Sequence, residues 1–161
     1  MSDAPPAAVA AATGDEAVVV RLGAGRFAVG LAHVAEVGRV PPLTRVPGMP
    51  VWLAGVGNWR GRILPALDLR TLLGADAVAL TARARLVVLS TDHASIGLLV
   101  DEVEGTTSVI EDVAPFPAAL PGGGAELVAG QLPREDGPIA VLDVEAVMRL
   151  RDALPRRRRS A

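Results

Sequence analysis

The chain has 161 residues, half of them hydrophobic, and it contains no cysteine, lysine or tyrosine. Because cysteine is absent, disulfides, thiol catalysis and thiolate metal sites are excluded. The formal net charge is −2, but four of the 16 basic residues form one run at 156–159, so the rest of the chain is acidic. Aromatic residues make up only 2%, so aliphatic side chains rich in valine must build the core, which favours strands.

We expect both ends of the chain to be disordered. Residues 1–16 are rich in alanine and proline and lack the basic segment followed by a strongly apolar segment that a signal peptide has. Residues 155–161 carry the arginine run and predict a basic tail. The longest uncharged window, 46–59, is interrupted by prolines and is shorter than the roughly 20 residues of a membrane-spanning helix. The sequence therefore predicts a cytoplasmic protein with one ordered domain over 17–154.

The first half of that domain predicts strands joined by turns. Valine-rich or alternating apolar patterns predict strands at 17–22, 27–31, 51–56 and 63–67. Turns are predicted at 23–25, at 33–37, in the glycine-rich stretch around Asn58, and as one helical turn at 69–73 closed by Gly74. The prolines within 41–50 exclude a helix and predict an extended connector. Pro65 lacks the N–H that a strand ladder uses, so we expect a sheet edge or a bulge there.

The second half repeats this plan and ends in a helix. Strands are predicted at 85–90, 95–100, 106–110, 127–131 and 139–142, with loops at 76–84 and 115–124. Asp143 can cap a final helix over 144–154, in which Val147 and Leu150 share one apolar face.

Two pairs of segments indicate an internal repeat. Residues 61–73, GRILPALDLRTLL, resemble residues 137–148, GPIAVLDVEAVM, with one residue deleted, and FAVGL at 27–31 resembles ASIGL at 94–98. Each half, about 18–74 and 85–150, is too small to bury its own apolar face well. The sequence therefore predicts a mainly β fold of two lobes related by approximate internal symmetry.

No pattern of catalytic residues is present. The sequence has no Gly-x-Ser-x-Gly elbow and, without lysine, no phosphate-binding Gly-x-x-x-x-Gly-Lys-Ser/Thr loop. The two histidines, His33 and His93, lack ligand-type spacing, so we expect neither a metal site nor a cofactor. Few aromatic residues and an acidic body argue against a nucleic-acid surface. What remains is a β-rich binding module whose turn carries Trp59 and Arg60, residue types enriched in interface hot spots.

Several ordered motifs resemble the CheW-like chemotaxis coupling proteins. Residues 55–70, GVGNWRGRILPALDLR, resemble the family signature G-v-x-N-L-R-G-x-i-l-P-v-x-D-L-R. Flanking segments agree in order and spacing: 27–37 with y-a-i…V-x-E-v, 46–50 with v-P-x-x-P, and 96–103 with v-G-l-l-V-D-x-V. The resemblance extends from about Val18 to Leu150, nearly the whole predicted domain.

The resemblance implies a fold and a function. The fold is two five-stranded SH3-like β-barrels around a shared hydrophobic core, followed by a C-terminal helix. The function is that of a non-enzymatic adaptor that couples the cytoplasmic tips of methyl-accepting chemoreceptors to the regulatory domain of a CheA-type histidine kinase. Such a protein would be cytoplasmic and recruited to membrane-associated receptor arrays, where other CheW copies are further partners. Neither nucleic-acid binding nor direct membrane insertion is implied.

The resemblance also implies site residues. Those expected to face the receptor are Val34, Glu36, Asn58, Trp59, Arg60 and Thr106. Those placed more loosely on the kinase-facing surface are Leu43, Val46, Val51 and Val56. Trp59 departs from the family, which usually has leucine at this position. If the indole is buried, its neighbours should be small, with Ala54 and Ala66 as candidates; if it is exposed, the receptor contact is altered.

Two alternative functions remain open. The chain could be the CheW-like scaffold of a chemosensory pathway that does not drive flagella. It could also be a β-rich binding module that uses the arginine run at 156–159 to bind nucleic acid or anionic lipid.

Overall fold

The structure is a computed structural model that describes residues 16–75, 79–109, 114 and 123–155. The expected leader before Glu16 and the expected tail after Pro155 lie outside the described residues. So do the first three residues of the predicted loop 76–84, the end of the strand predicted at 106–110, and most of the predicted loop 115–124.

Strands dominate the described residues, and a single α-helix follows the last of them. The strands are β1 (Glu16–Leu22), β2 (Gly25–Gly30), β3 (Val34–Gly38), β4 (Leu43–Thr44), β5 (Leu53–Trp59), β6 (Arg62–Leu67), β7 (Arg85–Ser90), β8 (Ser95–Val100), β9 (Glu102–Ser108), β10 (Val128–Leu132) and β11 (Ile139–Leu142), and the helix is α1 (Val144–Asp152). Short 3-10 helices at Leu31–His33 and Ala125–Leu127 precede β3 and β10. The predicted mainly β fold with a C-terminal helix is confirmed.

The strands form two sheets with matching connectivity. The first sheet has the order β10-β11-β2-β1-β9, and the second sheet has the order β3-β7-β8-β6-β5-β4. The short strand β4 has no counterpart in the second half of the chain. The other strands of the first half, β1, β2, β3, β5 and β6, correspond in chain order to β7, β8, β9, β10 and β11. With this correspondence, the second sheet read in reverse, β5-β6-β8-β7-β3, has the same strand order as the first sheet. Each sheet contains strands from both halves of the sequence. Each half contributes its opening hairpin to one sheet and its later strands to the other.

The core has three parts, and β1 shows how the sequence fills two of them. Ala17 and Val19 pack in a cluster with β11 inside the first sheet. Val18 and Val20 face the opposite way, into a larger cluster that both sheets and α1 share. Because both faces of this strand are buried, its sequence is a continuous apolar run rather than an alternation. A third cluster fills the interior of the second sheet.

The region predicted as a turn at 33–37 is instead strand β3. It pairs with β7 in antiparallel register, with a shift between Val34 and Glu36. This segment is only five residues long, its buried and exposed residues alternate, and a bulge interrupts its pairing, so its local sequence pattern does not indicate a strand. Pairing with the apolar strand β7 decides its conformation.

The strand predicted at 51–56 begins at Leu53 and continues to Trp59. Its glycines are strand residues that allow β4 to approach closely. A Cβ on Gly55 would lie 2.7 Å from the carbonyl oxygen of Thr44, and a Cβ on Gly57 would lie 3.0 Å from Cδ2 of Leu43. The turn is therefore confined to the two residues between β5 and β6.

The other expectations for β6 and α1 agree with the structure. Pro65 lies opposite Val56 and one residue before the ladder with β8 begins, so at this residue β6 is paired on the β5 side alone. The missing N–H of Pro65 is therefore accommodated in an edge-like position. Asp143 accepts a hydrogen bond from the backbone N–H of Ala146 at 3.2 Å, which caps α1. The helix ends at Asp152, two residues earlier than predicted.

Candidate functional site

The hairpin between β5 and β6 presents Arg60 at its tip. Trp59 pairs with Arg62, so the loop consists of Arg60 and Gly61, whose φ angles are 50° and 82°. Two consecutive positive φ angles are typical of a type I′ turn, in which Asn-Gly is the usual sequence. Arg60 is the one non-glycine residue with positive φ in the described chain. The side-chain oxygen of Asn58 accepts a hydrogen bond from the backbone N–H of Gly61 at 2.9 Å and stabilises the turn.

Glu36 of β3 joins this hairpin through both of its carboxylate oxygens. Oε1 forms an ion pair with Nε of Arg60 at 2.8 Å, and Oε2 accepts a hydrogen bond from Nε1 of Trp59 at 2.7 Å. Strands β3 and β5 stand near opposite ends of the strand order, so these contacts close the second sheet into a barrel. We call the line where β3 meets the β5–β6 hairpin the seam. The Arg60 side chain is 73% exposed and that of Glu36 is 32% exposed, so the pair lies at the protein surface along this seam.

Trp59 is half-buried, which is intermediate between the buried indole and the exposed indole that the sequence analysis considered. Its ring lies over Gly38, where a Cβ would be 2.5 Å from Cη2 of the indole. The ring also packs against the cluster inside the second sheet, to which Ala54 and Ala66 belong. The residue that makes room for the indole is therefore glycine on β3, and nothing in the sequence near Trp59 indicates it.

The other predicted receptor-facing residues lie apart from this seam. Val34 is two residues before Glu36 on β3, half-buried against the shared core. Thr106 belongs to the first sheet, where it pairs with Val18 and is exposed. It lines a shallow groove of about 240 Å³ whose charged residues are Arg26, Glu104, Arg134 and Asp136. The structure thus brings together Glu36, Asn58, Trp59 and Arg60, and their role in receptor binding stays a prediction.

The four predicted kinase-facing residues occupy three places. Val46 and Val51 line a groove of about 370 Å³ formed by the connector before β5, and Val51 is 76% exposed. Leu43 is half-buried against the cluster inside the second sheet. Val56 lies on the outer face of β5, beside the end of α1, in a second groove of about 500 Å³. Only the connector groove therefore combines two of the four.

A buried ion-pair network near the interface of the two sheets is a feature that residue-by-residue reasoning missed. Arg70 is 5% exposed; its guanidinium donates to Oδ1 and Oδ2 of Asp68 at 3.0 and 2.8 Å and to Oδ1 of Asp101 at 3.1 Å. Asp101 also accepts from the backbone N–H of Gly23 in the β1–β2 turn. The Asp-Leu-Arg end of the family signature is the sequence signal for this network, since it contains two of its three charged members.

The network shifts the pKa values of Asp68 and Arg70. Burial raises the pKa of the Asp68 carboxyl, but the hydrogen bonds and positive charge of Arg70 outweigh that effect and lower the pKa below its usual range. Hydrogen bonding to Asp68 raises the pKa of Arg70 against the opposing effect of burial. Asp68 and Arg70 are therefore both charged at neutral pH. The network links β1–β2 in the first sheet to β6 and β8 in the second.

Two further properties of the described residues bear on function. Across the described ranges, no three His, Asp or Glu side chains lie close enough together to hold a metal ion. In that same part of the chain, no helix has the length and apolar character needed to cross a membrane.

Comparison with known proteins decides the family. The model of the CheW-like domain matches residues 16–152. The chain belongs to the CheW-like family. The resemblance stated from the motifs is therefore confirmed.

CheW-like relatives and a solved structure agree with this assignment. The chain is 30% identical over 133 residues to a probable chemotaxis protein CheW of Rhizobium etli, covering 82% of this chain and 86% of the relative. It is 36% identical over 105 residues to the protein PilI of Pseudomonas aeruginosa, covering 62% and 59%. The scaffolding protein TtCheW of Thermoanaerobacter tengcongensis superposes with a TM-score of 0.72 at 24% identity, over 80% of this chain and 83% of that chain. That similarity confirms the predicted fold of SH3-like barrels.

Proposed function

We propose that this chain is a non-enzymatic adaptor that couples methyl-accepting chemoreceptors to a CheA-type histidine kinase in membrane-associated arrays. Its membership of the CheW-like family supports a scaffolding role. The observation that carries the receptor-binding part is the position of Arg60, which is exposed at the hairpin tip and held by Glu36 through one guanidinium nitrogen.

The conformation of Arg60 supports a binding role for this residue. A left-handed conformation costs a non-glycine residue about 1–2 kcal/mol, and asparagine or glycine would fit the turn better. Strained backbone at an exposed position is typical of binding sites. Arginine is also among the residues that most often dominate binding energy in protein interfaces. We assign the guanidinium of Arg60 to the receptor tip, with Glu36 fixing its orientation.

The connector groove supports a separate kinase contact. Val51 is 76% exposed and lies beside Val46 in a groove whose lining is mostly apolar, and contiguous exposed apolar surface is typical of interaction sites. We assign this groove to the regulatory domain of the kinase. Leu43 and Val56 lie on β4 and β5, outside the lining of this groove, and we expect them to contribute less to the kinase contact.

The test is reconstitution of a complex from purified chain, a receptor cytoplasmic fragment and a CheA-type kinase. Arg60→Glu should weaken receptor binding by about 2 kcal/mol or more, which is the scale of a hot-spot residue, while kinase binding is retained. Val51→Glu should do the reverse. Arg83→Glu is the matched control for the charge, because its side chain is 77% exposed and its ion pair with Glu102 is long, at 3.7 Å. Ile63→Glu, at 72% exposure, is the control for the apolar residue.

Unchanged receptor binding in Arg60→Glu would remove Arg60 as the anchor, and absence of both partners from a pull-down in the native cell would remove the adaptor function itself. A steep salt dependence of binding to DNA or anionic vesicles, lost on deletion of residues 156–159, would favour the alternative based on the arginine run.

The pathway output is a second question. Relatives named PilI, of Pseudomonas aeruginosa, and FrzA, of Myxococcus xanthus, match this chain at 36% and 35% identity, alongside relatives named as chemotaxis protein CheW. This mixture keeps a scaffold of a non-flagellar chemosensory pathway as the second candidate. Deleting the gene and comparing swimming with surface motility in the native cell distinguishes the two outputs.

A further inference from the structure

Trp59 contacts three features of the seam at once. Its indole N–H donates to Oε2 of Glu36 at 2.7 Å, and its ring rests on Gly38, two residues farther along β3. Its backbone closes the hairpin that carries Arg60. A leucine could fill part of the same space, but it has no N–H to donate. The indole therefore adds a polar contact to what would otherwise be a packing position.

That added contact determines how Glu36 meets Arg60. One carboxylate oxygen accepts the indole N–H and the other is paired with the guanidinium of the next residue, so the carboxylate is held in one orientation. Without the indole donor, Glu36 would hold Arg60 by an exposed ion pair alone, and such pairs fix side-chain geometry poorly because both side chains keep their rotamer freedom. A side chain fixed before binding loses less entropy when the partner arrives.

We propose that Trp59 is a positioning residue, which acts through Glu36 to orient the guanidinium of Arg60, and that this role requires glycine at position 38. In this arrangement the ion pair with Glu36 uses Nε of Arg60, the side chain is 73% exposed, and its two terminal nitrogens are left for a partner. Those nitrogens form a planar, bidentate donor for a carboxylate, so the partner group that Trp59 prepares the site for is an Asp or Glu side chain. The proposal rests on the proposed function, in which Arg60 contacts the receptor.

A double-mutant cycle in the full-length chain tests this coupling. Trp59→Phe keeps an aromatic ring at position 59 but removes the N–H donor, together with the outer part of the indole that lies over Gly38. Its affinity for the receptor cytoplasmic fragment should fall about five- to tenfold, in line with one lost hydrogen bond. In an Arg60→Ala background the same change should have less than a twofold effect, since there is no guanidinium left to orient. An equal loss in both backgrounds, or no loss in either, overturns the proposal.

Nuclear magnetic resonance of the free chain separates this result from failure of the proposed function. The Nε–H of Arg60 should exchange with water several-fold faster in Trp59→Phe, whether or not Arg60 binds a receptor. Unchanged exchange contradicts the positioning role. If Arg60→Ala itself leaves receptor binding intact, the proposed anchor fails while the exchange measurement still decides the role of Trp59.

Gly38→Ala provides a second test of the coupling that leaves Trp59 itself unsubstituted. A methyl group at position 38 displaces the ring, so this variant should show the same faster exchange at Arg60 and the same loss of affinity. Adding Trp59→Phe to Gly38→Ala should then cause less than a twofold further loss. A normal Arg60 exchange rate in Gly38→Ala overturns the requirement for glycine.

Discussion

Arg60 combines an unfavourable backbone conformation with an exposed charge. Its φ of 50° places it in the left-handed region, which costs about 1–2 kcal/mol for a side chain other than glycine. Its ion pair with Glu36 is largely exposed and contributes at most about 1 kcal/mol. Local stability alone therefore does not explain an arginine at this position, which is consistent with selection for binding.

Replacing Arg60 by asparagine tests this argument. Asn-Gly is the preferred loop of a type I′ hairpin, so relief of strain should outweigh loss of the surface ion pair. The free energy of unfolding in urea should stay unchanged or rise by up to about 1 kcal/mol, while receptor binding is lost. Arg62→Asn, in the adjacent strand position, is the control. A fall of more than about 1 kcal/mol in Arg60→Asn would show that the ion pair matters for folding.

Strand β5 depends on glycine because its antiparallel neighbour β4 approaches it closely. Gly55 has a φ of 156°, and an added Cβ would meet the Thr44 carbonyl, which is backbone and cannot rotate away. Gly55→Ala should therefore lower the free energy of unfolding by about 2–4 kcal/mol through strain and overpacking together. Gly48→Ala is the matched control: its φ is 77° but no atom lies within 4 Å, so only about 1 kcal/mol of backbone strain is expected. Equal losses in the two variants would contradict a role for the β4 contact.

The same strand shows where sequence reasoning succeeds and fails. Strands β7 and β8 are predicted to the residue because they are continuous apolar runs bounded by polar turns. The glycines of β5 indicate a turn when read locally, since the contact that requires them comes from another strand. Strand β3 is not predicted for the same reason, because its partner β7 lies about fifty residues away in sequence.

The candidate site shows the same limit at the level of side chains. The motif resemblance selects Glu36 and Arg60, and the structure joins them. Gly38 and the bond between Trp59 and Glu36 could not be predicted, because they depend on closure of the barrel and on an indole at a position where the family usually has leucine.

The whole molecule is built by exchange between its halves. Each opening hairpin pairs with strands from the other half, so neither sheet is complete with only one half of the chain. The Arg70 network lies where these exchanged parts meet, since Asp68 follows β6, Asp101 follows β8 and Gly23 belongs to the β1–β2 turn. We therefore expect the two sheets to unfold together as one cooperative unit.

Removing Arg70 should weaken that unit in a way that depends on pH. Arg70→Leu leaves two partly buried carboxylates without their cation, so the free energy of unfolding at pH 7 should fall by about 3–5 kcal/mol. In the native chain the pKa of Asp68 is lowered, so its contribution is fully present above the unfolded pKa of about 4 and is lost as pH falls through the folded pKa. In Arg70→Leu, burial without a counter-ion raises the pKa of Asp68 instead, and protonation relieves the repulsion with Asp101.

The difference in stability between the native chain and Arg70→Leu should therefore be largest near neutral pH and should shrink as pH falls below about 5. Urea unfolding at several pH values measures it, with Arg149→Leu on the exposed face of α1 as the control for loss of one arginine. A difference that stays constant from pH 7 to pH 3 would mean that Arg70 stabilises the chain through packing of its side chain rather than through its charge. In Arg70→Leu/Asp68→Asn, one carboxylate no longer titrates, so part of the loss at neutral pH should be recovered if charge is the cause.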